Sequence, residues 1–446
     1  MKEKKMNGSI YFTYGLGCFA SQLSWAMVGS YLSLYYTDVV GFQTGTIAIL
    51  FLVAKIWDGI NDPIMGTIME RTHTRWGRFR PYIVIGAPLL VIFTILTFTV
   101  PNFGTTGNLI YAYITYIGLG MAYTVTNVPY CALPAVMTRD SGKIDRLNTA
   151  QMMGMLAGQI LLNLVTLTIV GKFDLINSGH GYQYTAALYA ILALPMFWIT
   201  AKTCKETVVV EKKEQVPVKE AVKLIMKNKN LLMIILFQIL YMMHMMGRMG
   251  VAAYFYLYVA GVPALTGVFM MLPMAVSLLL FPLCPKLIEK FGKKKTMVGC
   301  NFVHIAGLCL IAFGPHNVPF MIFAHIVYGA GSVELCCPPS MIVESLDAMD
   351  DASGVRPDGT AFSLLGLGNK IGQAIGSAVG IALIGVFGYA AGKEITDSVS
   401  FGINFSVNGL PLILLILSFI PLLFYNLNEE KMIGIRERLK ERNKNK

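Results

Sequence analysis

The sequence predicts an all-α membrane protein of 12 transmembrane helices, and three observations lead there. The chain of 446 residues is 55% hydrophobic and only 14% charged, with a mean hydropathy of +0.60, too apolar for a water-facing globule. Its apolar residues fall into twelve segments of roughly the 20 residues that a hydrocarbon core requires: 10–36, 44–68, 81–101, 107–135, 149–170, 184–203, 230–259, 264–288, 296–314, 318–343, 359–387 and 408–426. Charge is also sided. An even number of spans puts both termini on one side, and the loops and tails of that side hold 31 of the 36 Lys and Arg; Lys172 and Lys393 lie opposite, and Lys55, Arg248 and Lys370 lie inside spans. Positive charge stays inside, so a multi-pass protein of the cell membrane with both termini cytoplasmic is expected. The net charge of +11 is thereby a topology signal, too dispersed over short loops for a nucleic-acid partner.

The first span is too long for a cleaved signal peptide, lacks a small-residue cleavage site and is expected to stay as an anchor. It carries Gly15, Gly17, Ala20 and Ser21, which permit close helix approach, and Tyr31, Tyr35 and Tyr36 toward its outer end. Gln22 and Trp25 are either ordinary helix contacts or a cavity wall able to hydrogen-bond and stack on a sugar.

Span two places Lys55, Asp58, Asn61 and Asp62 where hydrocarbon is expected. At about 100° per residue they form one polar face, and Pro63 weakens the helix beside it. Two carboxylates this close repel when both are ionised, so without a cation one takes a proton or pairs with Lys55 or Lys370. A cationic turn from Arg71 to Arg80, with Gly77 inside it, follows. In span four, Thr124, Asn127 and Tyr130 recur every three residues beside Pro129 and Pro134. Interhelical hydrogen bonds of about 0.6–2 kcal/mol would account for such a stripe as well as a binding site would.

The charged stretch 204–229 divides residues 1–203 from 230–427, each with six spans, and a basic tail occupies 428–446. Gly77-Arg78-Phe79-Arg80 after span two is echoed by Gly292-Lys293-Lys294-Lys295 after span eight, as in a repeat. In the second half Arg248, Glu334 and Lys370 are ionisable groups at membrane depth, where even lenient scales put the cost at about 2.5–3.5 kcal/mol. His244, His304 and His325 read as helix contacts; Arg248 either lies near a cavity mouth or snorkels. The eight cysteines (Cys18, Cys131, Cys204, Cys284, Cys300, Cys309, Cys336, Cys337) have no zinc or iron–sulfur spacing and serve as small apolar residues.

The stretches DGINDPIMG, RTHTRWGRFRP, YTVTNVPYCALP and GVRPDGTAFSLLGLGNKIGQ, in this order, closely resemble the glycoside–pentoside–hexuronide:cation symporter family, the group of the melibiose and glucuronide permeases. The resemblance implies a major facilitator fold of two six-helix halves working as a monomer. It implies a secondary active symporter in which one cation and one small glycoside bind near the midplane and the halves rock around them. No covalent chemistry, and hence no enzyme, is implied; no cofactor is needed beyond the coupling ion, Na⁺ or H⁺. No nucleotide-binding loop, nucleophile elbow or pore loop is present in the sequence either.

Carried over residue by residue, the cation site is Asp58, Asn61, Asp62 and Thr124, with sodium on Asp58 and Asp62 and with Lys55 and Lys370 as charge partners. A hard cation wants several oxygens, which two carboxylates, an amide and a hydroxyl supply. The sugar positions depart from the melibiose pattern: Ser21-Gln22 replaces Lys-Asp, Asn127 and Cys131 replace Asp and Trp, and Gln151 replaces Arg. The expected cargo residues are Gln22, Trp25, Asn127, Tyr130 and Gln151. Asn127-Val-Pro-Tyr130 looks more like the glucuronide and pentoside branch, so a glucuronide, pentoside or other β-glycoside is expected, with a melibiose-type galactoside as the alternative. A cytoplasmic gate is expected from Arg71, Arg75, Gly77, Arg78, Arg80, Arg356 and Asp358. The rival class is a lipid or amphiphile carrier on the same scaffold. A cavity lined by amides and Trp favours sugar, and a wholly apolar one favours lipid.

Overall fold

A computed structural model describes residues 7–72, 74–138, 140–207 and 218–444. The described chain is helical, and its one bridge of extended backbone, Thr74 to Gly77, lies in a turn. The helices are α1 (Gly8–Leu34), α2 (Thr44–Arg71), α3 (Arg80–Thr97), α4 (Gly104–Met137), α5 (Ser141–Ile176), α6 (Gly181–Thr203), α7 (Val218–Lys227) and α8 (Lys229–Met249). They continue as the helical stretches α9 (Pro263–Phe291), α10 (Lys293–Phe313), α11 (Val318–Ser353), α12 (Asp358–Val386) and α13 (Asp397–Phe424), and end in α14 (Glu429–Lys444).

Each of the twelve expected segments falls on a helix. Among the described residues ten helices, α3 to α6 and α8 to α13, are long and apolar enough to cross a membrane. The other two, α1 and α2, have 27 and 28 residues, about 40 Å at 1.5 Å per residue and so long enough to cross. Several boundaries differ from expectation: α5 (Ser141–Ile176) outruns 149–170 at both ends, α11 continues past 343 to Ser353, and two other spans differ in where they break or begin. The segment expected at 230–259 stops at Met249 and resumes in short turns at Ala252–Tyr254 and Phe255–Val259. The last one begins at Asp397 rather than 408, because Thr396 caps it by accepting from the Val399 N–H; its first turns are polar and carry no hydropathy signal. Part of the expected linker, 208–217, lies outside the described residues, and α7 occupies the part that follows.

Helices α1 to α6 pack mainly on one another, as do α8 to α13, and the two sets meet chiefly where α2 lies along α12 and α5 along α9. Small residues set these distances. Gly372, Gly376 and Gly380, one turn apart on α12, face the backbone of Ile239, Met243 and Gly247 on α8, and a Cβ at any of them would overlap that chain. Gly154 of α5 bears the same relation to Gly15 of α1.

The sets are also tied at the end of the bundle that carries Asp38. Its carboxylate accepts from the hydroxyls of Tyr258 and Tyr389 in the second set, the latter at 2.6 Å. Thr37 Oγ1 meets Tyr254 OH at 2.7 Å, and Ser33 Oγ donates to the Gly250 carbonyl.

Candidate functional site

Two adjoining cavities lie between the sets. The smaller, about 220 Å³, is lined by Lys55, Asp58, Asp62, Thr124, Asn127 and Lys370 with Trp25 and Tyr123. The larger, about 470 Å³, falls in the roughly 300–1,000 Å³ range of small-molecule sites. Trp25, Tyr123 and Gln373 line both, so the two are contiguous.

In the smaller cavity each acid has a basic partner. Lys55 Nζ lies 3.4 Å from Asp58 Oδ2 one helical turn away and 3.9 Å from the centre of the Trp25 ring, which stacks on Tyr123 at 4.4 Å. Lys370 reaches from α12 to α2, where it pairs with Asp62 Oδ2 and donates to the Asp58 carbonyl at 2.7 Å. Thr124 Oγ1 donates to Asp62 Oδ1 at 2.8 Å. Two acids and two bases cancel, as a site of low dielectric demands. Asp58 comes so close to α4 that a Cβ on Gly120 would overlap its Oδ1. Asn61 lines neither cavity, and its Nδ2 is buried without a partner among the described residues.

The expected cargo residues divide. Gln22 and Trp25 line the larger cavity and Asn127 the smaller. Tyr130 and Gln151 line neither, which corrects their placement at the cargo. Tyr130 is wholly buried, stacked on Tyr14 at 4.6 Å, and each ring's hydroxyl donates to the other residue's carbonyl. Gln151 accepts from Tyr14 OH at 3.2 Å and donates to Cys131 Sγ. Their polar atoms are spent on joining α1, α4 and α5.

Sequence reasoning missed the residues that complete the larger cavity: Tyr123, Gln159, Asn163, Tyr256, Tyr328 and Gln373. Gln159 and Asn163, four apart in an apolar span, were a readable signal; the convergence of Tyr256 and Tyr328 was not. Gln22 Oε1, Ser30 Oγ and Asn163 Oδ1 are buried without partners among the described residues. Arg248 does not snorkel: it is 6% exposed and lines the larger cavity. His325 and His244 are buried and bonded to Tyr256 OH and Tyr328 OH, and His304 to Glu334, as helix contacts.

At the other end of the bundle, Gly77 has φ 109°, and its Cβ would overlap the Glu206 carboxylate, which accepts from the N–H groups of Arg78, Phe79 and Arg80 at 2.8–3.1 Å. Arg80 Nε donates to the Ala201 carbonyl, Arg75 stacks near Trp76, and Arg356 pairs with Asp347 and Asp358. The Gly77 turn, Arg80 and Arg356 thus hold to their own set of helices in this conformation. The side chain of Arg71 lies outside the described residues.

A family model described as MFS/sugar transport protein matches residues 13–429. The isoprimeverose transporter of Lactiplantibacillus pentosus is 31% identical over 433 residues, 95% of this chain and 90% of that protein. The glucuronide carrier protein homolog of Escherichia coli (strain K12) is 28% identical over 443 residues, covering 97% and 95%. Among solved structures, that of the nucleoside transporter NupG superposes with a TM-score of 0.67 at 12% identity over 95% of this chain and 100% of that one, a likeness of fold alone. Over nearly its whole length, then, this chain is a member of the MFS/sugar transport protein family.

Proposed function

We propose that the chain is a secondary active symporter, importing a small glycoside together with a cation by alternating access. The observation that carries this is Lys370. From α12 it binds both Asp62 and the Asp58 carbonyl on α2, so the charge of the α2 acids bears directly on how the two sets of helices meet. A cation held by Asp58, Asp62 and Thr124 displaces the ammonium group and changes that contact, which is the differential interaction that coupling requires. Sodium suits a site that offers a hydroxyl beside two carboxylates, since a proton has no use for further oxygens. The larger cavity, with Gln22, Gln159, Asn163, Gln373 and Trp25 on its wall, suits a hydroxylated cargo better than a lipid.

In a cell membrane with cytoplasmic termini, the Asp38 contacts close the outer end. The basic turn of Arg71, Arg75, Arg78 and Arg80, with Arg356 and Asp358, serves the cytoplasmic gate in the alternate conformation. The test is uptake of a panel of glycosides into everted vesicles with and without Na⁺. Stimulation of at least one glycoside is expected; none stimulated by Na⁺ or by a pH gradient refutes the assignment.

Two further outcomes are expected. Asp38→Ala removes an anion that accepts from two tyrosine hydroxyls of the second set, each bond worth about 1.5–3 kcal/mol. The outer end should open, and a cysteine at position 30 in a cysteine-free background should label at least about tenfold faster with an impermeant thiol reagent; unchanged labelling would show that Asp38 is no latch. Gly120→Val pushes Asp58 from its seat, and the Na⁺ concentration for half-maximal uptake should rise at least about tenfold, with equal protein in the membrane.

A further inference from the structure

Arg248 is the cation of the cavities that no carboxylate answers. Lys55 has Asp58 and Lys370 has Asp62, whereas among the described residues no acid lies within ion-pair distance of the Arg248 guanidinium. Its protein acceptors are all neutral: Nη1 donates to the Val407 carbonyl at 2.9 Å and to Asn408 Oδ1 at 2.6 Å, and Nη2 to Tyr256 OH at 3.1 Å. Each acceptor is itself fixed. Asn408 Nδ2 donates to Asn404 Oδ1, which orients its oxygen toward the arginine. His325 Nδ1 donates to the Met321 carbonyl, so Nε2 accepts from Tyr256 OH and the phenol oxygen is left to receive from Arg248. The ring of Tyr328 lies 4.8 Å from Cζ.

Three of the five N–H hydrogens are used. Nε–H and the second hydrogen of Nη2 have no acceptor among the described residues, and the side chain, 6% exposed, lines the larger cavity with Tyr256 and Tyr328. Glu334, the other ionisable group expected at membrane depth in this half beside Lys370, is buried against His304 at 3.4 Å and forms no ion pair with Arg248. A buried charge without a counter-charge is costly, and at membrane depth it marks a site. Guanidinium hydrogens on adjacent nitrogens match the two oxygens of a carboxylate.

Resting on the symporter reading, we infer that Arg248 is the subsite for the acid group of an anionic glycoside, so that the cargo is a sugar bearing a carboxylate, its hydroxyls facing the amide-bearing wall formed by Gln22, Asn163 and Gln373. The ligand supplies the negative charge that the protein withholds.

The experiment measures binding to the purified full-length protein in nanodiscs, with and without Na⁺, of two pairs: p-nitrophenyl β-glucuronide with β-glucoside, and β-galacturonide with β-galactoside. Members of a pair differ only in a carboxylate or hydroxymethyl group at C6. The wild type is expected to prefer the acid at least tenfold in one pair, Arg248→Gln to bring that ratio to about one, and Arg248→Lys to keep part of it. Sodium-dependent binding without preference for the acid overturns the carboxylate subsite alone, as does an Arg248→Gln protein that binds with the wild-type ratio. Should Arg248→Gln fail to fold, Tyr256→Phe and the Lys variant carry the test, an unchanged ratio in both counting against it. Binding of neither member of either pair, with or without Na⁺, overturns the acid-sugar cargo, while the symporter reading stands or falls on the vesicle panel.

Discussion

Asp62→Cys is expected to abolish Na⁺-stimulated accumulation while binding or exchange of the glycoside partly survives. Asp62 is bound at once by Thr124 and by Lys370, so its loss removes an anionic ligand of the proposed cation and strands an ammonium group. A charged hydrogen-bond partner is worth roughly 1.5–3 kcal/mol, and a factor of ten costs about 1.4 kcal/mol. Cation affinity should thus fall between about tenfold and a hundredfold from this contribution alone, before the ion's own charge is counted. Titration of the purified protein with Na⁺ and uptake into energised vesicles check the two halves of the prediction. Sodium-driven accumulation at the wild-type level in this variant would refute the site.

Lys370→Gln should have the opposite effect on affinity and an equally large effect on transport. The ammonium group competes with the cation for Asp62, so removing it should tighten Na⁺ binding. The empty carrier would then hold two acids with one base, Lys55, between them, and its return across the membrane should slow. Exchange of glycoside at equal Na⁺ on both sides is expected to continue while net uptake drops at least about tenfold. Stability provides an independent measurement. Breaking a fully buried ion pair costs about 3–5 kcal/mol, and roughly 1–3 kcal/mol is expected here because both side chains reach the cavity. Combining Lys370→Gln with Asp62→Asn removes both charges, so the double variant should unfold at a higher temperature than either single variant. If all three unfold alike, Lys370 and Asp62 do not depend on each other.

The acidic face of α2, the proposed cation site, was legible in the sequence because its parts are local. Lys55, Asp58 and Asp62 share one helical face by spacing alone, and ionisable groups are rare enough in a span that each announces itself. The wall of the larger cavity was only partly legible. Gln22 and Trp25 reached the cavity, whereas Tyr130 and Gln151, polar residues in equally plausible spans, spend their groups on Tyr14 and Cys131. A polar side chain in a membrane helix must find a partner, and periodicity does not say whether that partner is a neighbouring helix or a ligand. Asp38 passed unnoticed for a related reason: at a span end a carboxylate looks solvated, and its two tyrosine partners lie more than two hundred residues away in the chain.

What the sequence determined by itself was the membrane class, the helical segments, the sidedness of charge and the acidic face of α2, all of which follow from composition and short-range spacing. Tertiary structure alone decided that Lys370 crosses from α12 to the α2 acids, that Gly120 leaves room for Asp58, and that Arg248 is ringed by neutral acceptors with two donors unused among the described residues. These depend on which helices lie side by side. That pairing is set by small residues such as Gly372, Gly376 and Gly380, which let backbones approach; they define a distance between helices, and no local pattern records which partner fills it.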